Sequence, residues 1–579
     1  MQSIETRLKS MRARRSLLMG AARAAWAIGG VERSEGTLGR TLALMREQKS
    51  PAFARDWTFA ELYEWAARQH RLQGFLEYGT ERYSFDEMNR RANRVARQLQ
   101  KVGIAEGKGV ALMLGNHPHF LDAFFAIQKL GAYAVPVNTA LVGDGLSYIL
   151  EHSEVSVIIC DSETAPKVAA VRPALKRVTD VWVTTAEAPK DFVLPEGMRP
   201  FTELERGGAA ESDNLGIRPD PSSPSLLLYT SGTTGLPKAV VSQYGQQRAK
   251  GIGLLANVLY DKSDKLYTCL PLFHANALLL TVMQSLWVGI PLYLSKRFSA
   301  SRFWKELGEC GATQFNTVGG MIPILLKTQP SAADRMHKVK RIVSAACPKD
   351  AWVPFEERFG VEIWEGYGAV DGAGIAIVNM GNAPVGSLGK PPRLMKWRLV
   401  AEDGKDAPTG QPGELRVHVG NRSESRVPYW KNEKASNEKV IDGWLHTGDV
   451  MQADAGGYLY FVGRNTDSMR RRGENVSAYE VEKVVDAYPD VLESAAFGVP
   501  SPVGEQDIMI SVVAVEGRTI DPVQLAAFLR ERLPKFAAPS YLDIVAELPK
   551  TGTHRVIKAD LKKRGVSAST IRLDDGSTR

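Results

Sequence analysis

The stretch LLLYTSGTTGLPKAVVSQ, Leu226 to Gln243, sets two glycines, a run of hydroxyls and one lysine between two apolar runs. Backbone N–H groups at Gly232 and Gly235 and the hydroxyls of Thr230, Ser231, Thr233 and Thr234 suit a phosphate cradle, with Lys238 as a mobile cation. A Walker loop needs a lysine directly after glycine and then a hydroxyl for magnesium. Here Lys238 follows Leu236-Pro237 and Ala239 takes the hydroxyl's place. The residues after the lysine, AVVSQ, favour a strand over a helix. The motif therefore reads as a glycine- and hydroxyl-rich turn between two strands, and not as the loop of a Walker-type NTPase.

Such a loop needs a rigid platform, and the chain offers one from about residue 75. RYSFDEMNRRANRVARQLQKVG opens with Ser84 and Glu87 in capping-box spacing and continues with helical periodicity. GVALMLGN reads as a strand, HFLDAFFAIQKLG as a helix ending at Gly131, and AYAVPVN as another strand. This alternation predicts an α/β body. The polar stretch 207–225 reads as a linker into the phosphate loop. After residue 464 the texture changes to a compact mixed region of about 110 residues, enough for a small domain.

A chain of 579 residues exceeds a single core, and 44% hydrophobic with 24% charged is an ordinary globular composition. The four cysteines, Cys160, Cys269, Cys310 and Cys347, form no CxxC, which fits neither a zinc site nor a disulfide framework and points to a reducing, cytoplasmic compartment. Residues 1–50 hold ten Lys/Arg and four Asp/Glu, a net +6 out of the whole chain's +8. The body is nearly neutral, so the charge gives no reason to expect a nucleic-acid partner. Within that head, Arg14-Arg15 precedes an apolar run that Arg23 interrupts, too short and too charged to span a bilayer or to be a clean export signal. It reads as a peripheral amphipathic anchor or as a plain N-terminal helix.

The sequence resembles the AMP-forming adenylating superfamily of acyl-CoA synthetases, luciferases and peptide-synthetase adenylation domains. YTSGTTGLPK is followed in order by LPLFH (270–274), EGYGAVD (365–371), GELRV (413–417), GWLHTGDV (443–450), YFVGRNTDSMRRRGENVSAYEVE (460–482) and LPKTGTHRVIK (548–558). The finer texture is similar to fatty-acid-transport-type and carnitine/crotonobetaine-type CoA ligases. The resemblance implies a large multi-subdomain N-terminal body of layered sheets and helices, residues 46–463, a hinge at 464–467 and a small mobile α+β C-terminal domain, 468–579, behind the basic segment 1–45. It implies ATP, Mg2+ and coenzyme A as cofactors and a small carboxylic acid as substrate.

Site residues follow from the same resemblance. Lys238 and the loop 230–235 hold phosphate. Tyr367, between Gly366 and Gly368, stacks on adenine, the glycines letting the backbone approach the nucleotide. Asp449 and Arg464 contact ribose. His274 lies near the substrate carboxylate and the thiol tunnel, Gly319 and Gly320 line the acyl side, and Gly473 and Glu474 belong to the coenzyme A side. The run Arg470-Arg471-Arg472 reads either as a solvated face or as a holder of coenzyme A phosphates.

Four positions depart from the family pattern. Where the family has Thr and Glu after YGx, this chain has Val370, which cannot hydrogen-bond, and Asp371, a hard oxygen ligand for magnesium one methylene shorter. The lysine of the C-terminal loop is replaced by Arg555, which keeps the charge in a different geometry. The hinge residue is Thr466.

The expected activity is that of an acyl-CoA synthetase for a hydrophobic, medium- to long-chain fatty acid, with catalytic Lys238, Arg555 and His274. Carnitine-like and steroid-type acids remain open as substrates. The rivals are a ligase that hands its acyl-AMP to a carrier protein and an acid-binding uptake protein that has lost catalysis.

Overall fold

The computed structural model describes residues 57–573 except 231–235, 247–248, 319–320, 327, 346, 373–375, 394, 402, 421–426, 465–467, 503, 516, 550–555 and 557. Two large sheets form the body. One has seven strands in the spatial order Arg199–Pro200, Asp180–Thr184, Val155–Asp161, Gly109–Met113, Tyr133–Pro136, Pro224–Thr230 and Lys238–Gln243. All its pairings are parallel except the last, the antiparallel pair on either side of residues 231–235. The other has eight strands: Ala376–Asn379, Glu362–Gly368, Arg341–Ala345, Gln314–Val318, Leu266–Thr268, Leu292–Leu294, Gly74–Tyr78 and Glu81–Ser84.

Helices Phe85–Lys101 and Pro118–Lys129 pack together in the core that both sheets share. The first starts where Ser84 Oγ accepts the Glu87 N–H at 3.1 Å, leaving its apolar stripe (Phe85, Met88, Ala92, Val95, Ala96, Leu99) buried. The second is buried along its whole length, so its charges need partners. Asp122 takes Arg91 of the first helix, with Nη2 at 2.6 Å, and Lys129 takes Glu64 at 2.7 Å. The stretch 207–225 is more than a linker. Ser212 is buried, and Asn93 and Asn89 donate to Ser212 O and Asn214 Oδ1 at 2.7 and 3.0 Å, which docks the segment on the first helix.

A five-stranded antiparallel sheet follows, with Trp397–Val400, Pro412–His418, Trp444–Ala453, Val440–Ile441 and Leu459–Arg464. The smaller C-terminal domain holds a hairpin, Ser468–Arg471 with Glu474–Ser477, and a four-stranded sheet, Val491–Pro500, Gln506–Ala514, Tyr541–Ile544 and Ile571–Arg572. Its two hydrophobic clusters are built wholly from residues beyond Ser468. This is the expected α/β architecture of a large layered body with a small α+β partner. All four cysteines carry free thiols.

Candidate active site

Each piece of the site is set by a local backbone feature. Strands Pro224–Thr230 and Lys238–Gln243 bring Thr230 opposite Lys238, and Thr230 Oγ1 donates to Lys238 O at 3.3 Å. The expectation of a turn between two strands is met at both flanks. Ser231, Gly232, Thr233, Thr234 and Gly235 lie outside the described residues. The segment 428–430 runs along the second strand, with Val241 N donating to Pro428 O and Trp430 N to Ala239 O at 2.9 and 2.8 Å. That register puts the Tyr429 ring 5.7 Å from Lys238 Nζ.

Tyr429 leads to the acidic position. Its hydroxyl donates to Asp371 Oδ2 at 2.8 Å, and Lys439 Nζ sits 2.8 Å from the same oxygen. Burial and then the Asp371 charge push the Tyr429 phenol well above its usual range, so it stays a donor. Lys439 thus pairs directly with the Asp371 carboxylate, and Lys238 lies by the ring of the tyrosine that donates to it. Lys439 carries no signal in the sequence pattern; only the packing of helix Glu433–Lys439 brings it here. Among the described residues no three His, Cys, Asp or Glu gather as a metal cage. One carboxylate suits Mg2+, which is usually held by one or two carboxylates together with substrate phosphates.

The residues expected at the nucleoside lie on two strands. Tyr367, near the end of Glu362–Gly368, donates its hydroxyl to Asp449 Oδ2 at 2.7 Å. Gly366 and Gly368 flank it in the antiparallel pairing with Ala376–Asn379. Asp449 is 1% exposed and follows Gly448, whose φ of +76° lies at a bulge in the strand Trp444–Ala453. Glu414, from the GELRV motif, fixes that bulge: its carboxylate accepts the Gly448 N–H at 3.0 Å while Arg416 Nε holds the other oxygen at 2.8 Å. Arg464 stands opposite Asp449 in the strand pairing; its side chain lies outside the described residues. The two expected nucleoside residues, Tyr367 and Asp449, are therefore brought together.

His274 ends the LPLFH turn and precedes a short helix, Ala275–Ala277, that runs into a π-helical turn, Leu278–Val282, a feature often found at functional sites. Buried Asn116 clamps the turn. Its Nδ2 donates to Leu270 O and Ser295 O at 3.0 and 2.9 Å, and its Oδ1 accepts the Leu272 N–H at 2.9 Å. His274 is no core histidine. Its side chain is 41% exposed and Nε2 lies 2.9 Å from Glu474 Oε1 in the C-terminal hairpin.

The hairpin turns on two residues of positive φ, Arg472 at +53° and Gly473 at +81°, the pattern of a type I′ turn. A Cβ at Gly473 would stand 3.3 Å from Val318 Cγ2, so the tip rests against the body. The triple arginine divides. Arg471 is 4% exposed and points inward to Asp507 at 3.4 Å and Ser540 Oγ at 2.6 Å, which removes it as a coenzyme A contact. Arg470 pairs with Glu505 at 3.6 Å, and Arg472 is exposed. Lys558, near the C-terminal loop, is held by Glu482 at 2.8 Å within its own domain. Arg555, Thr466, Gly319, Gly320 and the segment 1–45 lie outside the described residues. No helix among those described is long and apolar enough to cross a membrane.

Comparison with known proteins gives the family. The model of the AMP-binding enzyme family matches residues 62–421, and that of the AMP-binding enzyme C-terminal domain matches 480–555. A crotonobetaine/carnitine–CoA ligase of Escherichia coli O8 (strain IAI1) is 29% identical over 496 residues, 83% of this chain and 93% of that protein. Among solved structures, an o-succinylbenzoate CoA synthetase of Bacillus subtilis is 23% identical with a TM-score of 0.74, covering 88% of this chain and 99% of that one. A fatty acyl CoA synthetase of Mycobacterium tuberculosis is 24% identical with a TM-score of 0.61, covering 88% and 98%. The chain belongs to the AMP-binding enzyme family; it is an AMP-forming acid–thiol ligase, a class that uses ATP, Mg2+ and coenzyme A.

Proposed function

We propose that this enzyme activates a hydrophobic carboxylic acid of the medium- to long-chain fatty type and delivers it to coenzyme A. A carboxylate oxygen attacks the α-phosphorus of ATP, and the bond to the bridging oxygen breaks to release pyrophosphate. The thiol sulfur then attacks the acyl carbon, AMP leaves, and the thiol proton passes to solvent. The acid is already ionised at neutral pH, so the first step needs charge neutralisation more than a base. Lys238, Lys439 and Arg555 supply it, with the loop 230–235 cradling phosphate. Bound magnesium adds shielding of phosphate charge, and Asp371 is the carboxylate that would hold it. Tyr367 and Asp449 orient adenine and ribose, with Arg464 as a further ribose contact. His274, Gly473 and Glu474 frame the thiol approach.

The observation that carries this reading is the meeting of Glu474 with His274 across 200 residues of sequence, which joins the small domain to the body. The acid class is supported by the apolar residues after His274, of which Leu279 is half-buried and Leu280 is 36% exposed. A second reading, a carnitine-like acid, is favoured by the relatives that act as crotonobetaine/carnitine–CoA ligases. The division at 46–463, 464–467 and 468–579, and a cytoplasmic enzyme touching membrane through residues 1–45, belong to the same proposal.

The test offers ATP, Mg2+ and coenzyme A with short, medium, long-chain, aromatic, betaine and steroid acids, and measures AMP, pyrophosphate and thioester. Turnover confined to medium and long chains is the expected result. Turnover confined to betaines would replace it with the second reading. AMP without thioester would point to a carrier-protein acceptor and overturn the coenzyme A step.

A further inference from the structure

Glu505 has no part in the scheme above, yet it sits under the tip of the hairpin. It occupies the turn between strands Val491–Pro500 and Gln506–Ala514, and its backbone is left-handed, at φ +58°. For a side chain with a Cβ that conformation is strained. Its carboxylate, only 9% exposed, accepts the Gly473 N–H at 2.9 Å through Oε2 and lies 3.6 Å from Arg470 Nε through Oε1. The neighbouring Gln506 Oε1 accepts the Arg470 N–H at 3.1 Å. A Cβ at Gly498 would meet the Gln506 side chain at 2.4 Å, so the glycine leaves the room that side chain uses.

Two consecutive residues thus grip both ends of the hairpin turn. The grip matters because the next residue after Gly473 is Glu474, which meets His274 at 2.9 Å. In a type I′ turn the peptide N–H of the second central residue needs an outside acceptor. Here the acceptor is a charged one, in the loop that carries the strain. We propose that Glu505 is a positioning residue for the thioester-forming half-reaction, acting through the Gly473 peptide to aim Glu474 at His274. The inference rests on the proposed coenzyme A step and names a residue which that step does not itself require.

The test separates the two half-reactions in the full-length enzyme. Glu505→Ala is expected to slow single-turnover acyl transfer from bound acyl-AMP to coenzyme A about tenfold, while ATP–pyrophosphate exchange stays within about twofold. Glu505→Gln keeps an acceptor for the Gly473 N–H and is expected to recover most of the transfer rate. Because Glu505 acts through Glu474, Glu474→Gln combined with Glu505→Ala should be markedly non-additive. Equal losses in both half-reactions with no rescue by glutamine, or strict additivity, would overturn the proposal. Should Glu505→Ala not fold, Glu505→Asp keeps the charge, loses the reach and is expected to impair transfer selectively. Hydrogen exchange at the Gly473 and Glu474 amides needs no substrate: Glu505→Ala should deprotect them, and unchanged protection would overturn the proposal even if the acid were never found. Absence of acyl-AMP from the wild-type enzyme with every acid would instead overturn the proposed function.

Discussion

His117 offers a sharp physical test, because its ring is both a helix cap and a buried titratable group. Its Nδ1 accepts the His119 N–H at 3.1 Å at the start of helix Pro118–Lys129. A ring protonated on that nitrogen loses the cap. Burial, then the neighbouring charges of His119, Arg91 and Lys296, lowers the His117 pKa from 6.5 to about 3. Between those values the unfolded chain binds a proton that the folded chain does not. The contribution to stability is therefore complete above the unfolded value and is lost as the pH falls below it. At about 1.36 kcal/mol per pH unit, lowering the pH from 7 to 5 should cost about 2 kcal/mol at this one residue. Asparagine caps helices well without titrating. Urea unfolding of the wild type and of His117→Asn at pH 7 and pH 5 should show the variant losing about 2 kcal/mol less. His70, His152, His337 and His446 are also lowered, chiefly by burial, so the wild type keeps a residual acid sensitivity that the variant shares. Identical pH dependence in the two proteins would refute the reasoning. The consequence reaches the site, since the residue before this cap, Asn116, clamps the turn that presents His274.

Lys439→Met, which removes the cation paired with Asp371 at 2.8 Å, should slow acyl-AMP formation about tenfold. It should also weaken ATP binding more than AMP binding in calorimetry without magnesium, and equal weakening would refute a phosphate role. Asn116→Ala leaves the Leu272 N–H and two carbonyls without their side-chain partner in a buried turn, at a cost of about 3 kcal/mol in denaturant unfolding. A loss under about 1 kcal/mol would mean that the turn holds itself. Arg555→Ala should slow acyl-AMP formation well beyond a surface Arg→Ala control, measured by ATP–pyrophosphate exchange, and an equal effect would remove Arg555 from catalysis.

Local signals in the chain were reliable where a local force sets the structure. The capping spacing at Ser84 and Glu87 marks a helix start because the side chain satisfies an N–H three residues on. The β-prone run after Lys238 marks a strand, and its pairing with Pro224–Thr230 follows. The arginine run 470–472 was legible only in part. Successive residues of a strand face opposite sides, so Arg471 was free to turn inward while its neighbours faced out. Whether an inward arginine is tolerated depends on Asp507 and Ser540, far along the chain.

Family membership, the order of the motifs and the residue types available for phosphate, adenine and ribose can be read from the chain alone. These follow from short-range spacing and from side-chain chemistry, which the chain carries wherever it folds. The partnerships come from folding: Tyr367 with Asp449, Asp371 with Tyr429 and Lys439, His274 with Glu474, and Asn116 with the LPLFH turn. Each joins segments tens to hundreds of residues apart. Such contacts come from the packing of whole sheets and domains, and no local spacing encodes which carboxylate a given lysine or histidine will meet.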